Sequence, residues 1–241
     1  MPPIGFSTGA LFKDALSDGV TAALQMHLEV IELSALRFRE LASLVEFVHA
    51  ADLTAFHYVS LHAPTDYTAE QEPAVASALL TLANQFHWPV VVHPDCIVNQ
   101  EVWKPFGQWL CIENMDKRKK AGRTLEELQS VFGAFPDARL CFDIAHARQV
   151  DSSMTEAYRI LRELSNRICQ IHMSEVTSSS KHDRISESAV AAFREVADQL
   201  PLNAPVILET PVTPEQALGE IAQAARIFAP AAPTFVAVVP A

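Results

Sequence analysis

The chain has 241 residues, 49% of them hydrophobic, and its 18 basic against 29 acidic side chains give a net charge of −11. That length and apolar content suit one domain with a sizeable core, and the acidic balance opposes non-specific attraction to nucleic-acid phosphates. No run reaches the roughly 18 apolar residues that span a bilayer, the start Met1-Pro-Pro-Ile-Gly-Phe6 lacks a basic segment followed by an apolar one, and Cys96, Cys111, Cys141 and Cys169 form no CxxC pair, so a reduced, cytoplasmic protein off the membrane is expected.

Short apolar runs recur at 4–7, 30–34, 58–62, 89–93, 110–113, 140–143, 168–172 and 206–209, and read as eight strands. Helix-period segments lie between them. Leu36, Leu41, Leu44, Val45 and Val48 form one apolar stripe, and Val75, Leu79, Leu82 and Phe86 form the next. The stretch 96–107 is the least regular, with Trp103-Lys-Pro-Phe106 as a short helix or a loop that could act as a lid. Thr124-Leu-Glu-Glu127 predicts a capping box ahead of Leu125, Leu128, Val131 and Phe132, and Thr213-Pro-Glu-Gln216 opens a helix running to 228. No Asn-Gly or Asp-Gly turn joins two of the runs as a hairpin. Continuous alternation, with no Gly-x-Gly-x-x-Gly after the first strand, favours an α/β protein built as a (β/α)8 TIM barrel, a single domain over 1–241.

Four strands end on residues able to ligate a metal: Glu113, Asp143, His172 and Glu209, at intervals of 30, 29 and 37 residues. Each interval is one βα unit, so in a barrel the four groups converge at the C-terminal rim, where barrel active sites lie. Three carboxylates and an imidazole packed together repel unless a cation sits among them. The oxygen and nitrogen donors suit a divalent ion such as Mn²⁺, Mg²⁺, Co²⁺ or Zn²⁺. His62 and His93 end strands on the same side and are candidates for a second metal or for the substrate. The bland alternative for all of these is a set of rim ion pairs and satisfied histidines.

Ser60-Leu-His-Ala-Pro64, Val91-Val-His-Pro-Asp95, Cys111-Ile-Glu-Asn-Met115, Cys141-Phe-Asp-Ile-Ala-His-Ala147, Gln170-Ile-His-Met173 and Val206-Ile-Leu-Glu-Thr-Pro211, in that order, resemble the xylose isomerase-like TIM-barrel superfamily. That group contains sugar and sugar-phosphate isomerases and epimerases, and the endonuclease IV family of abasic-site nucleases. The resemblance implies that Glu113, Asp143, His172 and Glu209 bind one divalent cation. It further implies that Glu113 and Glu209 exchange a proton with the carbon beside a substrate carbonyl, and that His146 holds a substrate hydroxyl or aids proton movement. Glu32 would support His62 or the substrate, with an ion pair to Arg37 or Arg39 as the alternative.

The nuclease members hold three metals, with further ligands matching His62, His93, His146 and an Asp-x-His pair in the loop after the seventh strand. Laid on that loop, His182 matches the histidine and Ser180 stands where the aspartate would be, leaving Asp183 to substitute only by a register shift. The implied reading is therefore a metal-dependent isomerase or epimerase with a small carbohydrate as its partner. Nucleic acid is disfavoured, and a homo-oligomer is left open. A dehydratase acting on a cyclic polyol would share the chemistry. The alternatives are an abasic-site phosphodiesterase and a non-catalytic metal-binding barrel. The Lys117-Arg-Lys-Lys120 run is either a phosphate contact or a solvated turn, Trp88, Trp103 and Trp109 read as packing residues with Trp103 the best exception to face a sugar, and His27, His49, His57 and His87 read as surface or interhelical residues.

Overall fold

Eight parallel strands close on one another in the computed structural model, which describes residues 1–12 and 15–230. Residues 13–14 and 231–241 of the expected domain lie outside the described residues. The strands are β1 (Ile4–Ser7), β2 (Val30–Ser34), β3 (Tyr58–His62), β4 (Val90–Val92), β5 (Leu110–Glu113), β6 (Arg139–Asp143) and β7 (Ile168–Met173). A two-stranded ribbon follows, β8 (Glu175–Val176) and β9 (His182–Asp183), and β10 (Val206–Leu208) completes the ring in the order β1-β10-β7-β6-β5-β4-β3-β2. Helices cover the outer face of the ring, so a strand such as β4, three consecutive valines, is buried throughout. Such continuous apolar runs are what a parallel sheet covered on its outer face and filled on its inner face requires.

The helix Leu41–Ala50 buries Leu41, Leu44 and Val48. Leu36 is not part of it, because a 3₁₀ turn at Phe38–Glu40 intervenes and leaves Leu36 in the loop after β2. Thr124 caps the helix Leu125–Ala134 by accepting the Glu127 amide at 3.3 Å, but Glu127 Oε2 accepts the amide of Arg123 at 2.8 Å, one residue before the position a capping box uses. Its carboxylate is drawn there by the Arg123 guanidinium, which it also binds. The helix Pro214–Ala225 does have its return bond, Thr213 N to Gln216 Oε1 at 3.2 Å, and stops at Ala225, the chain to Phe228 continuing in turns.

Stretch 96–107 is anchored rather than lid-like. The buried carboxylate of Glu72 accepts Val98 N and Asn99 N at 2.8 Å each and Trp103 Nε1 at 2.9 Å. Opening the segment would break three bonds to one charged group, and hydrogen bonds to ions are the strong kind. Trp103 is fully buried against Phe106 and offers no platform to a sugar. The ribbon of β8 and β9 pairs antiparallel outside the eight runs read from the sequence. Its turn uses Ser180 with φ of 53° where a hairpin signal would carry glycine or asparagine, which is why the sequence gives no sign of it. Among the described residues no helix is long and apolar enough to cross a membrane.

Candidate metal centre

Parallel pairing sets Asp143 beside His172 and Glu113 beside Cys141 at the C-terminal rim. Glu209 follows β10 directly, and its amide continues the ladder by donating to Met173 O at 3.1 Å. Glu113, Asp143, His172 and Glu209 each offer one ligand atom within 4.8 Å of the others. Glu113, Asp143 and His172 are buried, and the Glu209 side chain is 15% exposed, so the group opens to one side. That side is a cavity of about 820 Å³ whose wall includes Ser34, His62, Glu113, His146 and Glu209.

The donor set fits a divalent ion. Asp143 Oδ2 and His172 Nδ1 are buried without a hydrogen-bond partner among the described residues, although buried polar atoms are nearly always paired. Both belong to the four-ligand group. Burial, with Glu209 and Glu113 nearby, raises Asp143 to about 6 despite His146. Burial also opposes charge on Glu209, but His172 and His182 outweigh it and hold that carboxyl well below its usual range.

Glu113 is the hub. Its Oε2 lies 3.3 Å from His62 Nε2, 3.2 Å from His93 Nε2 and 3.7 Å from His172 Nδ1, and its Oε1 lies 3.2 Å from His146 Nδ1. His62, His93 and Glu113 form a second group of ligand atoms within 4.8 Å, sharing Glu113 with the first. The two rings meet edge to face at 5.1 Å. Burial opposes charge on His62, but Glu113 and Glu32 lift it to about 9, whereas burial wins at His93 and lowers it.

Glu32 takes neither arginine as a partner. It is fully buried, and its Oε2 sits 2.9 Å from His172 Nε2, 2.7 Å from Gln170 Nε2 and 3.3 Å from Ser60 Oγ. It therefore buttresses His172, across the barrel, rather than bonding to His62. The distance between them along the chain is 140 residues, and only closure of the barrel brings them together. Glu32, His62 and Glu209 make a further group of ligand atoms within 4.8 Å, and Glu32 Oε1 is buried without a hydrogen-bond partner among the described residues.

Asn114, which the sequence reading left without a role, clamps Asp143. Its Nδ2 donates to Asp143 O and its Oδ1 accepts Asp143 N, both at 2.8 Å. Asp143 then caps the helix Ile144–Val150 by accepting His146 N at 2.7 Å, which turns the imidazole into the site. His146 Nδ1 lies 3.0 Å from Asn114 O and 3.4 Å from Asp143 Oδ2. Burial opposes its charge, yet Asp143 and Glu113 lift it to about 10.

His182 reaches the rim on the ribbon. Its Nδ1 is 2.8 Å from Ser174 Oγ and its Nε2 is 3.8 Å from Glu209 Oε2. Strand alternation turns the next residue, Asp183, outward, where it is exposed and accepts the amide of Arg184, so it brings no carboxylate to the site. Ser180 Oγ donates to buried Asp116 Oδ1 at 2.7 Å. From the basic run only Arg118 and Lys119 line the cavity, and each is held by an acid, Asp116 at 3.5 Å and Asp95 at 3.0 Å. His27, His49, His57 and His87 are exposed, away from the cavity.

A family model described as xylose isomerase-like TIM barrel matches residues 100–230. No curated protein matches the chain by sequence. Among solved structures, a D-tagatose 3-epimerase-like protein superposes with a TM-score of 0.64 at 16% identity, over 93% of this chain and 96% of its own. The 3-keto-D-glucoside 4-epimerase from E. coli gives 0.64 at 12% identity, over 94% and 99%. A xylose isomerase domain protein from Planctomyces limnophilus gives 0.59 at 11%, over 93% of each chain. At such identities the likeness is one of fold.

Proposed function

Because the chain belongs to the xylose isomerase-like TIM-barrel family, we propose that it is a divalent-metal-dependent isomerase or epimerase of a small sugar, sugar phosphate or polyol-derived hydroxycarbonyl compound. The observation that carries this reading is the four-ligand group with two of its buried atoms unpartnered. Structural relatives that are epimerases by name support the substrate class. A divalent ion held by Glu113, Asp143, His172 and Glu209 would draw electron density from a substrate carbonyl and its neighbouring hydroxyl, and so acidify the intervening C–H bond. Glu209, whose carboxylate borders the cavity, is the base that takes this proton. Glu113 is the second carboxylate, and return of a proton from it on the opposite face would invert the centre. His146, whose ring lines the cavity, donates a hydrogen bond to a substrate oxygen. Asn114 orients both Asp143 and His146.

The test is incubation of the metal-loaded protein with ketoses, aldoses and cyclic polyols in D₂O. Deuterium should enter beside a carbonyl, and Glu209→Gln should abolish the labelling. A second reading, phosphodiester cleavage at abasic sites, draws on the His62, His93 and Glu113 group, which could hold another cation. Ser180 in place of an acid, the outward Asp183 and the net charge of −11 weigh against it. If no compound exchanges while abasic DNA is cut in a metal-dependent way that Glu113→Gln abolishes, the second reading replaces the first.

A further inference from the structure

The turn that follows β4 carries three donor groups outside the four-ligand group. Pro94–Cys96 form one turn of 3₁₀ helix directly after His93, with Cys96 N bonded to His93 O at 3.0 Å. His93, Asp95 and Cys96 are each half-buried, and one ring nitrogen, one carboxylate oxygen and the thiol sulfur lie within 4.8 Å of one another. The backbone beneath them is held from three directions. Tyr67 Oη donates to Cys96 O at 2.9 Å, and the Glu72 carboxylate takes the amides of Val98 and Asn99 just beyond. Pro94 packs so close to Gly122 that a Cβ on that glycine would lie 2.5 Å from Pro94 Cγ. Three donors displayed by a backbone already fixed cost less ordering when they bind a ligand.

Two of the three side chains have a buried atom with nothing to bond. Asp95 Oδ1 and His93 Nδ1 lack a hydrogen-bond partner among the described residues, the same signature that marks Asp143 and His172. Their other polar atoms are engaged: Lys119 Nζ holds Asp95 Oδ2 at 3.0 Å, and His93 Nε2 lies 3.2 Å from Glu113 Oε2. Lys119 fixes the carboxylate and offsets part of its charge, so sulfur has to supply much of the attraction for a cation. Cys96 Sγ lies 3.7 Å from Thr65 O, a weak contact. Imidazole, carboxylate and thiolate together select borderline-soft ions, whereas the oxygen-rich four-ligand group suits harder ones. Burial, with Asp95 beside it, pushes the thiol up to about 11, so the ion must bond to sulfur strongly enough to displace its proton, which Mn²⁺ and Mg²⁺ do not. Ligands roughly 2.0–2.3 Å from a tetrahedral ion stand about 3.3–3.6 Å apart, so side-chain rotation closes the present spread by ~1.5 Å at most.

We infer that His93, Asp95 and Cys96 form a separate, thiophilic cation site that takes Zn²⁺ or an ion of similar softness through imidazole nitrogen, carboxylate oxygen and thiolate, with water in the fourth position. It shares no ligand with the four-ligand group and depends on no substrate. As the bond to sulfur forms, the thiol proton passes to solvent. An ion there ties the end of β4 to the stretch after it and fixes His93 at the cavity wall.

Absorption titration of the full chain with Co²⁺ tests this, because bonding to a thiolate gives a near-ultraviolet charge-transfer band that oxygen and nitrogen ligands do not. Wild type should show the band, Zn²⁺ should abolish it, and Cys96→Ser should lack it. Asp95→Asn should weaken the Co²⁺ affinity read from the band by at least about tenfold, since removing even an outer partner of a ligand costs that much. Glu209→Gln, which alters the four-ligand group, should keep the band. Should Asp95→Asn fail to fold, alkylation of Cys96 by iodoacetamide in wild type, read by peptide mass spectrometry and blocked by bound Zn²⁺, decides. The proposal is overturned if wild type gives no band, if the band survives Cys96→Ser, if Glu209→Gln loses it, or if Zn²⁺ leaves Cys96 alkylation unchanged. A band in wild type without Mn²⁺ binding would sink the four-ligand reading and leave this one standing.

Discussion

Glu113→Gln is the substitution that separates a metal centre from a rim of ion pairs. The amide matches the carboxylate in size, so packing is kept while one charge is lost. Ligand atoms lying within 4.8 Å of one another place a central cation about 3 Å or less from each. At that separation the attraction between a divalent ion and a unit charge is on the order of 11 kcal/mol for an effective dielectric of 20. Much of it is offset by desolvation of both partners. If roughly a third survives, the loss is ~4 kcal/mol, or about a thousandfold in Kd. The charge change also reaches the apo protein, because His62 is raised to about 9 by contact with Glu113 and Glu32 against its own burial. Without the Glu113 carboxylate, burial should bring His62 below its unperturbed value, roughly 6.5. Calorimetric titration with Mn²⁺ and proton titration of the His62 ring by NMR read the two effects separately. Glu101→Gln, which touches only the exposed pair with Lys104, serves as control. An affinity within threefold of wild type together with an unmoved His62 titration would refute the charge argument at its base.

Metal-free protein should lose stability as pH rises through the alkaline range. His62 and His146 have folded values raised from 6.5 to about 9 and about 10, so their stabilising contribution is complete below 6.5 and is lost as pH climbs through 9 and 10; Asp143, raised from 3.8 to about 6, acts with the same sign at lower pH. Thermal melts with chelator should fall between pH 7 and 10, with the increment from added metal growing over the same range, and a flat profile contradicts this. Asn114→Ala leaves the Asp143 N–H and C=O buried and unpaired, which should cost about 2–4 kcal/mol in urea unfolding and loosen both Asp143 and His146. Glu72→Gln exchanges a carboxylate accepting three bonds for an amide, a loss of roughly 2–3 kcal/mol, and amide exchange at Val98 and Asn99 should accelerate; unchanged protection there would show that packing of Trp103 alone holds the segment.

The ring of strands was legible because each strand of a covered parallel sheet is apolar along its length, and because a ligand at the downstream end of such a run can only project at the rim. That Glu113, Asp143, His172 and Glu209 meet at the rim was readable on that ground alone. The partners beneath them were not. Alternation along β7 puts Gln170 and His172 on one face, but their contact with Glu32 joins β7 to β2, strands with β10 and β1 between them in the ring, and local sequence carries no trace of it. Asn114 was adjacent to a named ligand, yet its clamp runs to the peptide of Asp143, and a side chain bonded to backbone leaves no pattern in residue types. The ribbon carrying His182 was missed because its strands have two residues each and its turn bends on a serine. Its short loop nevertheless decides that His182 faces Glu209 while Asp183 faces away.

The charged groups gathered around Glu113 bear on what the site could hold. Four imidazoles surround Glu113 within 3.7 Å, and burial disfavours charge on each of them, yet only at His93 does burial prevail. The others are raised because buried or nearly buried anionic groups face them, Cys141 with Glu209, Glu32 and Glu113 at His172, Glu113 with Glu32 and Glu209 at His62, and Asp143 with Glu113 and Glu209 at His146. A cluster held together by protons on histidines is a cluster whose negative charge has no fixed counter-ion among the side chains. Arg118, Lys119 and Lys181 line the cavity, the first two are held by Asp116 and Asp95, and among the described residues none of the three makes an ion pair with Glu113, Asp143 or Glu209. A rim of ordinary ion pairs would have brought its own arginine or lysine to Glu113 or Glu209. Were a cation to bind, protonated imidazoles in contact with it would release their protons, and Asp143 Oδ2 and His172 Nδ1, two atoms of the four-ligand group, are buried without a hydrogen-bond partner among the described residues.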